Sequence, residues 1–134
     1  MRIALTATLV MILAAPTIAA ALTPTDARRA FLGLDMRGYV EGSNAQWREC
    51  INPAGVTSYW IEGSFDEGRL RIRDDGVLCF SYKSASYADE ACFTAAAHGA
   101  NWRFVDVADP RSVFVTTHTR KNVKACPTTL APVS

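Results

Sequence analysis

The sequence predicts an all-β domain: an antiparallel meander of about eight short strands, forming a small barrel or a two-layer sandwich, with one short N-terminal helix and two disulfides. Three observations carry this reading. Short runs alternate between apolar and polar side chains, and the turn signals "NPAG", "DDG", "HGA" and "ADPR" punctuate them. Only one segment, near residue 24, has both start and stop signals of a helix. Four cysteines, an even set, follow a leader that marks the chain for export.

The leader is "MRIALTATLVMILAAPTIAAA", residues 1–21. Arg2 gives a positive start, Ile3 to Ile18 is almost free of polar side chains, and three alanines supply a small-residue cleavage pattern. The apolar run falls short of the roughly 20 residues that a spanning helix needs, and Pro16 interrupts it. A cleaved signal peptide is expected, with no stable membrane insertion after cleavage and a periplasmic or secreted product. Residues 22–134 then form a single domain of 113 residues, enough for one modest core. The leader carries Arg2 and no acid, so that domain holds 13 basic and 13 acidic residues. A balanced charge argues against nucleic acid or an anionic membrane surface as partner.

The helix is placed at about residues 24–32. Thr23 can cap it, Pro24 suits the first helical position, and Asp26 follows Thr23 by three. Ala27, Ala30, Phe31 and Leu34 share one face, and Gly33 suits the stop. Strands fill about residues 38–118. "QWRECI" and "VTSYWI" flank "NPAG", read as a four-residue loop on a type I turn. That loop pairs Ile51 with Val56, Glu49 with Ser58 and Trp47 with Trp60, so the two tryptophans meet on one face. Arg48, Cys50 and Tyr59 fall on the other.

"RLRIR" sets Leu70 and Ile72 against Arg69, Arg71 and Arg73. A two-residue loop at Asp75-Gly76 would put Arg71 opposite Phe80. A three-residue loop, Asp74-Asp75-Gly76 with Gly76 left-handed, pairs Ile72 with Leu78 and Leu70 with Phe80. The second register keeps the apolar face together and is preferred. In the next hairpin, Cys79 opposite Cys92 places Leu78 against Phe93 and Phe80 against Ala91 on that same face. Directly opposed positions also bring Cβ atoms close to disulfide distance. Trp102 and Phe104 in "NWRFVDV" are assigned to the core, "SVFVTTHT" is the last strand, and residues 119–134 form a polar tail. With Cys79–Cys92 assigned, Cys50–Cys126 remains, although four cysteines allow three connectivities.

The run "DDGVLCFSYKSASYADEACFTAAAHGANWRFVDV", with "INPAGVTSYWIEG" before it, resembles small exported proteins of uncharacterised role from alphaproteobacteria. The resemblance covers about Trp47 to Val115 and rests on turn and disulfide chemistry. It implies an exported all-β domain with a Cys79–Cys92 bridge and supplies no catalytic residues. A more distant similarity is to lipocalin-like small barrels, including bacterial inhibitors of secreted metalloproteases, by architecture alone.

Signals for chemistry are sparse. The cysteine gaps of 29, 13 and 34 lack the close pairs of a zinc site, and no C-x-x-C is present. His98 and His118 have no partner at ligand spacing, so no metal, cofactor or catalytic residue is expected. Carboxylates are plentiful (Glu41, Glu49, Glu62, Asp66, Glu67, Asp89, Glu90, Asp106), and none is picked out as a pair by sequence. The arginine stripe at 69, 71 and 73 and the bases Arg111, Arg120, Lys121 and Lys124 read as a solvated outer face. Glu49 stands apart, because a carboxylate on a tryptophan face needs a partner if buried. Glu49, Trp47, Trp60 and Trp102 are therefore the candidate binding residues. The function expected is non-enzymatic binding of a protein or small ligand in the cell envelope. The alternatives are an inhibitor of an exported protease, or a hydrolase with paired carboxylates.

Overall fold

Every strand pairs with its neighbours in sequence, and the last returns to the first. This computed structural model describes residues 21–84 and 90–128. The expected signal peptide, apart from Ala21, lies outside the described residues, as do Asp89 and the end of the tail. The order is α1 (Pro24–Phe31), β1 (Leu34–Val40), β2 (Gln46–Ile51), β3 (Val56–Ile61), β4 (Ser64–Ile72), β5 (Leu78–Tyr82), β6 (Ala91–His98), β7 (Asn101–Asp106) and β8 (Val113–Arg120). All pairs are antiparallel, and β1 with β8 closes an eight-stranded barrel. Closure leaves no free sheet edge, and eight strands enclose just enough room for side chains or one small ligand.

The helix starts as its sequence directs. Thr23 Oγ1 accepts from the Asp26 N–H at 3.1 Å and donates to the Asp26 carboxylate at 2.8 Å. Gly33, at φ +78°, ends it and turns the chain straight into β1. This corrects the expected start of the strands near residue 38. Leu34, assigned to the helix face, is the first residue of β1 and is fully buried. The end of the strands shifts too, since β8 runs to Arg120, beyond the expected 118. At the closing seam β8 carries an extra residue, where Arg37 pairs with His118 and Gly38 with Thr116. A Cβ on Gly38 would lie 1.8 Å from the Val115 carbonyl oxygen, so only glycine permits the approach.

The β4–β5 and β5–β6 registers agree with the sequence reading. Ile72 pairs with Leu78, Leu70 with Phe80, Cys79 with Cys92 and Phe80 with Ala91. Gly76 is left-handed at φ +81°, and Arg73 and Val77 close the three-residue loop. The "NPAG" hairpin uses the same solution, against expectation. Asn52 N–H bonds the Val56 carbonyl, Gly55 sits at φ +80°, and the Asn52 side chain accepts from the N–H groups of Ala54 and Val56. The loop proper is Pro53-Ala54-Gly55, so β3 slips by one residue. Ile51 pairs with Thr57, Glu49 with Tyr59, Arg48 with Trp60 and Trp47 with Ile61. A slip of one reverses every side chain of β3. Tyr59 therefore faces inward and Trp60 outward, and Trp47 and Trp60 do not meet.

Both disulfides join the expected cysteines. Cys79–Cys92 spans β5 and β6 with Cα atoms 4.1 Å apart, and Cys50–Cys126 ties the tail to β2 with Cα atoms 5.7 Å apart. The tail segment 121–128 covers the outer face of β2 and β3. Val123 bonds back to the Gly33 carbonyl, and Ser58 donates to the Pro127 carbonyl at 2.7 Å. Beneath lie Cys50 and Trp60.

The two barrel ends differ. α1 and the loops at 52–55, 74–76 and 99–100 share one end. There Phe31 is fully buried, 4.8 Å from the Trp102 ring and 5.6 Å from that of Phe104. The helix thus plugs this end. The loops at 41–45, 62–63 and 107–112 lie at the other, together with Lys83, Ser84 and Glu90.

Candidate ligand cavity

The interior is divided by side-chain size. Near α1, Phe31, Leu34, Ile51 and Leu78 pack densely and are fully buried. Toward the opposite end a cavity of about 260 Å³ remains. Its wall is Met36 of β1, Trp47 and Glu49 of β2, Tyr59 and Ile61 of β3, Phe80 and Tyr82 of β5, Ala91 and Phe93 of β6, Phe104 and Asp106 of β7, and Ser112 and Phe114 around the start of β8. Ile61, Tyr82, Ala91 and Asp106 are strand ends away from the helix, so the cavity opens there.

The rings form a continuous lining. Trp47 meets Phe104 and Phe114 edge-on at 6.3 and 5.8 Å. Phe93 meets Phe114 at 5.5 Å and Phe80 at 6.1 Å, and Tyr59 lies 5.3 Å from Tyr82. These are favourable aromatic separations. They place ring faces and edges around one acid.

That acid is Glu49, 4% exposed. Tyr82 Oη donates to its Oε2 at 2.8 Å, while Oε1 has no partner among the described residues. Trp47 Nε1 and Thr57 Oγ1, also buried, have none either. Burial pushes the Glu49 pKa up to about 8. The Tyr82 hydroxyl and the nearby Thr57 hydroxyl pull it down, and the charge of Asp66 adds to the rise. At neutral pH Glu49 is therefore largely a protonated acid in an apolar chamber, able to donate one hydrogen bond or, when ionised, to pair with a cation.

Of the four candidate residues, the structure brings two together. Trp47 and Glu49 line the cavity. Trp102 packs on Phe31 at the plugged end, beneath it. Trp60 lies on the outer face, 2% exposed under the tail, against Phe65 and with the Arg48 guanidinium 4.8 Å above its ring. The residues missing from the sequence reading are Tyr59 and Tyr82. Tyr82 follows Leu78 and Phe80 on the inner face of β5, and Tyr59 reaches the interior only in the observed register, in which it pairs with Glu49.

Arg48 belongs to a second buried polar group on the outer face. It donates to both Asp35 oxygens at 2.9 and 2.8 Å, and Arg120 reaches Asp35 at 3.1 Å. Burial alone would raise the Asp35 pKa, but the hydrogen bonds and charges of Arg48 and Arg120 outweigh it and hold the carboxyl below its ordinary value. Asp35 is thus shared by two guanidinium groups, and the buried pair with Arg48 marks a structural site.

The outer arginine stripe is also engaged. Arg71 pairs with Glu90, and Arg73 with Asp75. Cys79, Cys92 and Glu90 form the one cluster of potential metal ligands among the described residues, and its two sulfurs are bonded to each other. No described helix is long and apolar enough to cross a membrane, and the two disulfides fit an oxidising environment. No protein-family model matches the chain, and neither does any curated protein or solved structure.

Proposed function

We propose that this is an exported, non-enzymatic binding barrel that holds a small, largely apolar ligand in the cavity around Glu49. One observation carries the reading: an aromatic-walled cavity of about 260 Å³ is lined by a buried carboxyl with one oxygen unpaired among the described residues. Buried polar atoms almost always have partners, and an under-paired carboxyl at a cavity wall calls for a ligand or water to supply one. The volume exceeds that of the roughly 150 Å³ apolar cavities known to admit benzene. The export leader at residues 1–21 and the two disulfides together support a periplasmic or secreted location.

The alternatives find less support. A protease inhibitor of the barrel type would be favoured by a projecting N-terminal arm. Residues 22–31 are instead docked, with Leu22 packed on the core and Phe31 inside it. A hydrolase would be favoured by a second carboxylate free to work with Glu49. Both candidate partners hold loop backbone instead: Asp66 accepts from the Ser84 N–H, and Asp106 from those of Ala108 and Asp109.

The reading is tested with a neutral fluorescent aromatic, 2-naphthol. Saturable binding is expected for the wild type. Ala91→Phe, which fills the cavity, should abolish it while leaving the near-ultraviolet circular dichroism native. Equal binding by a folded Ala91→Phe variant, or none by the wild type, would contradict the reading.

A further inference from the structure

We infer that the cavity takes an organic cation: a small arylalkyl amine whose ammonium group pairs with Glu49 while its ring lies among the aromatic side chains. The inference rests on the cavity being a ligand site and adds the class of ligand.

Charge is the first argument. The titratable groups facing Glu49 are Tyr59 from β3, Asp66 from β4, Tyr82 from β5 and Asp106 from β7. β1, β6 and β8 present only uncharged side chains to it, and no lysine, arginine or histidine among the described residues lines the cavity. An anionic ligand would meet acids alone. A neutral one would leave the acidic surplus without a counter-charge. A cation is the ligand that this sign of field attracts.

Geometry is the second. Oε2 is held by Tyr82, which orients the carboxyl at the cavity wall, and Oε1 is buried without a well-formed hydrogen bond among the described residues. The surrounding rings, Tyr59, Tyr82, Trp47 and Phe80 among them, present negative π faces that attract ammonium groups. Size is the third. About 260 Å³ suits one ring with a short chain, since benzene alone occupies cavities of roughly 150 Å³.

A proton balance follows. Unliganded Glu49, raised to about 8 by burial, is protonated at pH 6.5. The protonated amine enters as its ammonium ion, the Glu49 acid gives its proton to solvent, and a carboxylate–ammonium pair remains. Affinity should therefore rise about tenfold per pH unit up to pH 8 and level off above it.

The test is calorimetric titration of the oxidised protein with phenethylamine, 2-phenylethanol and 3-phenylpropionate. It is run at pH 6.5 in two buffers of different ionisation enthalpy. Expected are amine binding with release of close to one proton, about tenfold or more weaker binding of the alcohol, and none of the acid. Glu49→Gln should lower amine affinity at least about tenfold and remove the proton release, while keeping a native near-ultraviolet circular dichroism. Should Glu49→Gln fail to fold, the proton count and the ligand ranking on the wild type decide. The cation is overturned if the alcohol or the acid binds as well as the amine, if the amine binds without proton release, or if it does not bind. Continued binding of 2-naphthol in those cases leaves the ligand cavity standing, whereas its loss too removes both.

Discussion

The Tyr82 hydroxyl donates a 2.8 Å hydrogen bond to Oε2 of Glu49, across an interior where the other oxygen of the same carboxyl has no partner among the described residues. The bond links β5 to β2 through the barrel, and it favours the ionised acid against the burial that opposes it. Tyr82→Phe keeps the ring and removes the donor. The Glu49 midpoint should then move above its value of about 8, read by carbon-detected NMR of the glutamate carboxyl. An unchanged or lower midpoint would show that the phenol does not support the charge.

Glu49 should also shape stability against pH. Its folded pKa lies above the unfolded value, so native protein holds the proton more tightly. The full benefit is present below the ordinary glutamate value of 4.5 and declines as pH rises toward about 8. The slope of that loss is about 1.4 kcal/mol per pH unit within the window. Urea unfolding from pH 5 to 9 should show the decline in the wild type and a flatter profile in Glu49→Gln. Parallel profiles would place Glu49 in contact with water.

Two left-handed glycines at the plugged end should differ in their tolerance of alanine. Gly55 and Gly76 have nearly the same φ, +80° and +81°. A Cβ on Gly55 would sit 3.3 Å from the Leu70 carbonyl oxygen, but one on Gly76 would sit 1.7 Å from that of Leu22. Gly55→Ala should cost about 1–2 kcal/mol from backbone strain, and Gly76→Ala distinctly more by displacing the segment before α1. Equal losses in thermal unfolding would contradict the docking of Leu22 at that loop.

These two turns also show where sequence reasoning succeeded and where it stopped. At "DDG" the flanking strands have opposed faces, Leu70 and Ile72 against three arginines, so only one register buries the apolar set. At "NPAG" the faces of β3 are not so distinct: Thr57, Tyr59 and Ile61 on one, Val56, Ser58 and Trp60 on the other. The outer face is covered as well, because the tail held by Cys50–Cys126 lies over Trp60. Burial on both faces removes the cue that fixes register, and the cross-strand pair of Trp47 with Trp60 that the longer loop would give does not form. Glu49 was legible as an acid among apolar neighbours on β2. Tyr59 was not, since its orientation depends on one left-handed glycine, and neither was the plug, which needs Gly33 to turn α1 directly into β1.

The Asp35 group on the outer face should govern acid stability. Its pKa is held below the ordinary carboxylate value, so its contribution is present above the unfolded pKa of about 3.9 and is lost as pH falls through the folded one. Asp35→Asn would leave the buried Arg48 unpaired and should cost about 3–5 kcal/mol by chemical denaturation. Arg120, on the exposed side of the same acid, should cost no more than about 1 kcal/mol when replaced by alanine. A similar loss from both would contradict the division into buried pair and surface reinforcement.

The central claim, that a ligand enters the barrel at Glu49, is tested most directly by the three indole N–H signals of a nitrogen-15 labelled sample titrated with 2-naphthol. Trp47 lines the cavity, Trp102 lies at the plugged end, and Trp60 is outside under the tail. The expected result is a saturable shift of the Trp47 signal, with Trp60 unmoved. A shift confined to Trp60, or no shift of Trp47 at saturating ligand, would contradict the account.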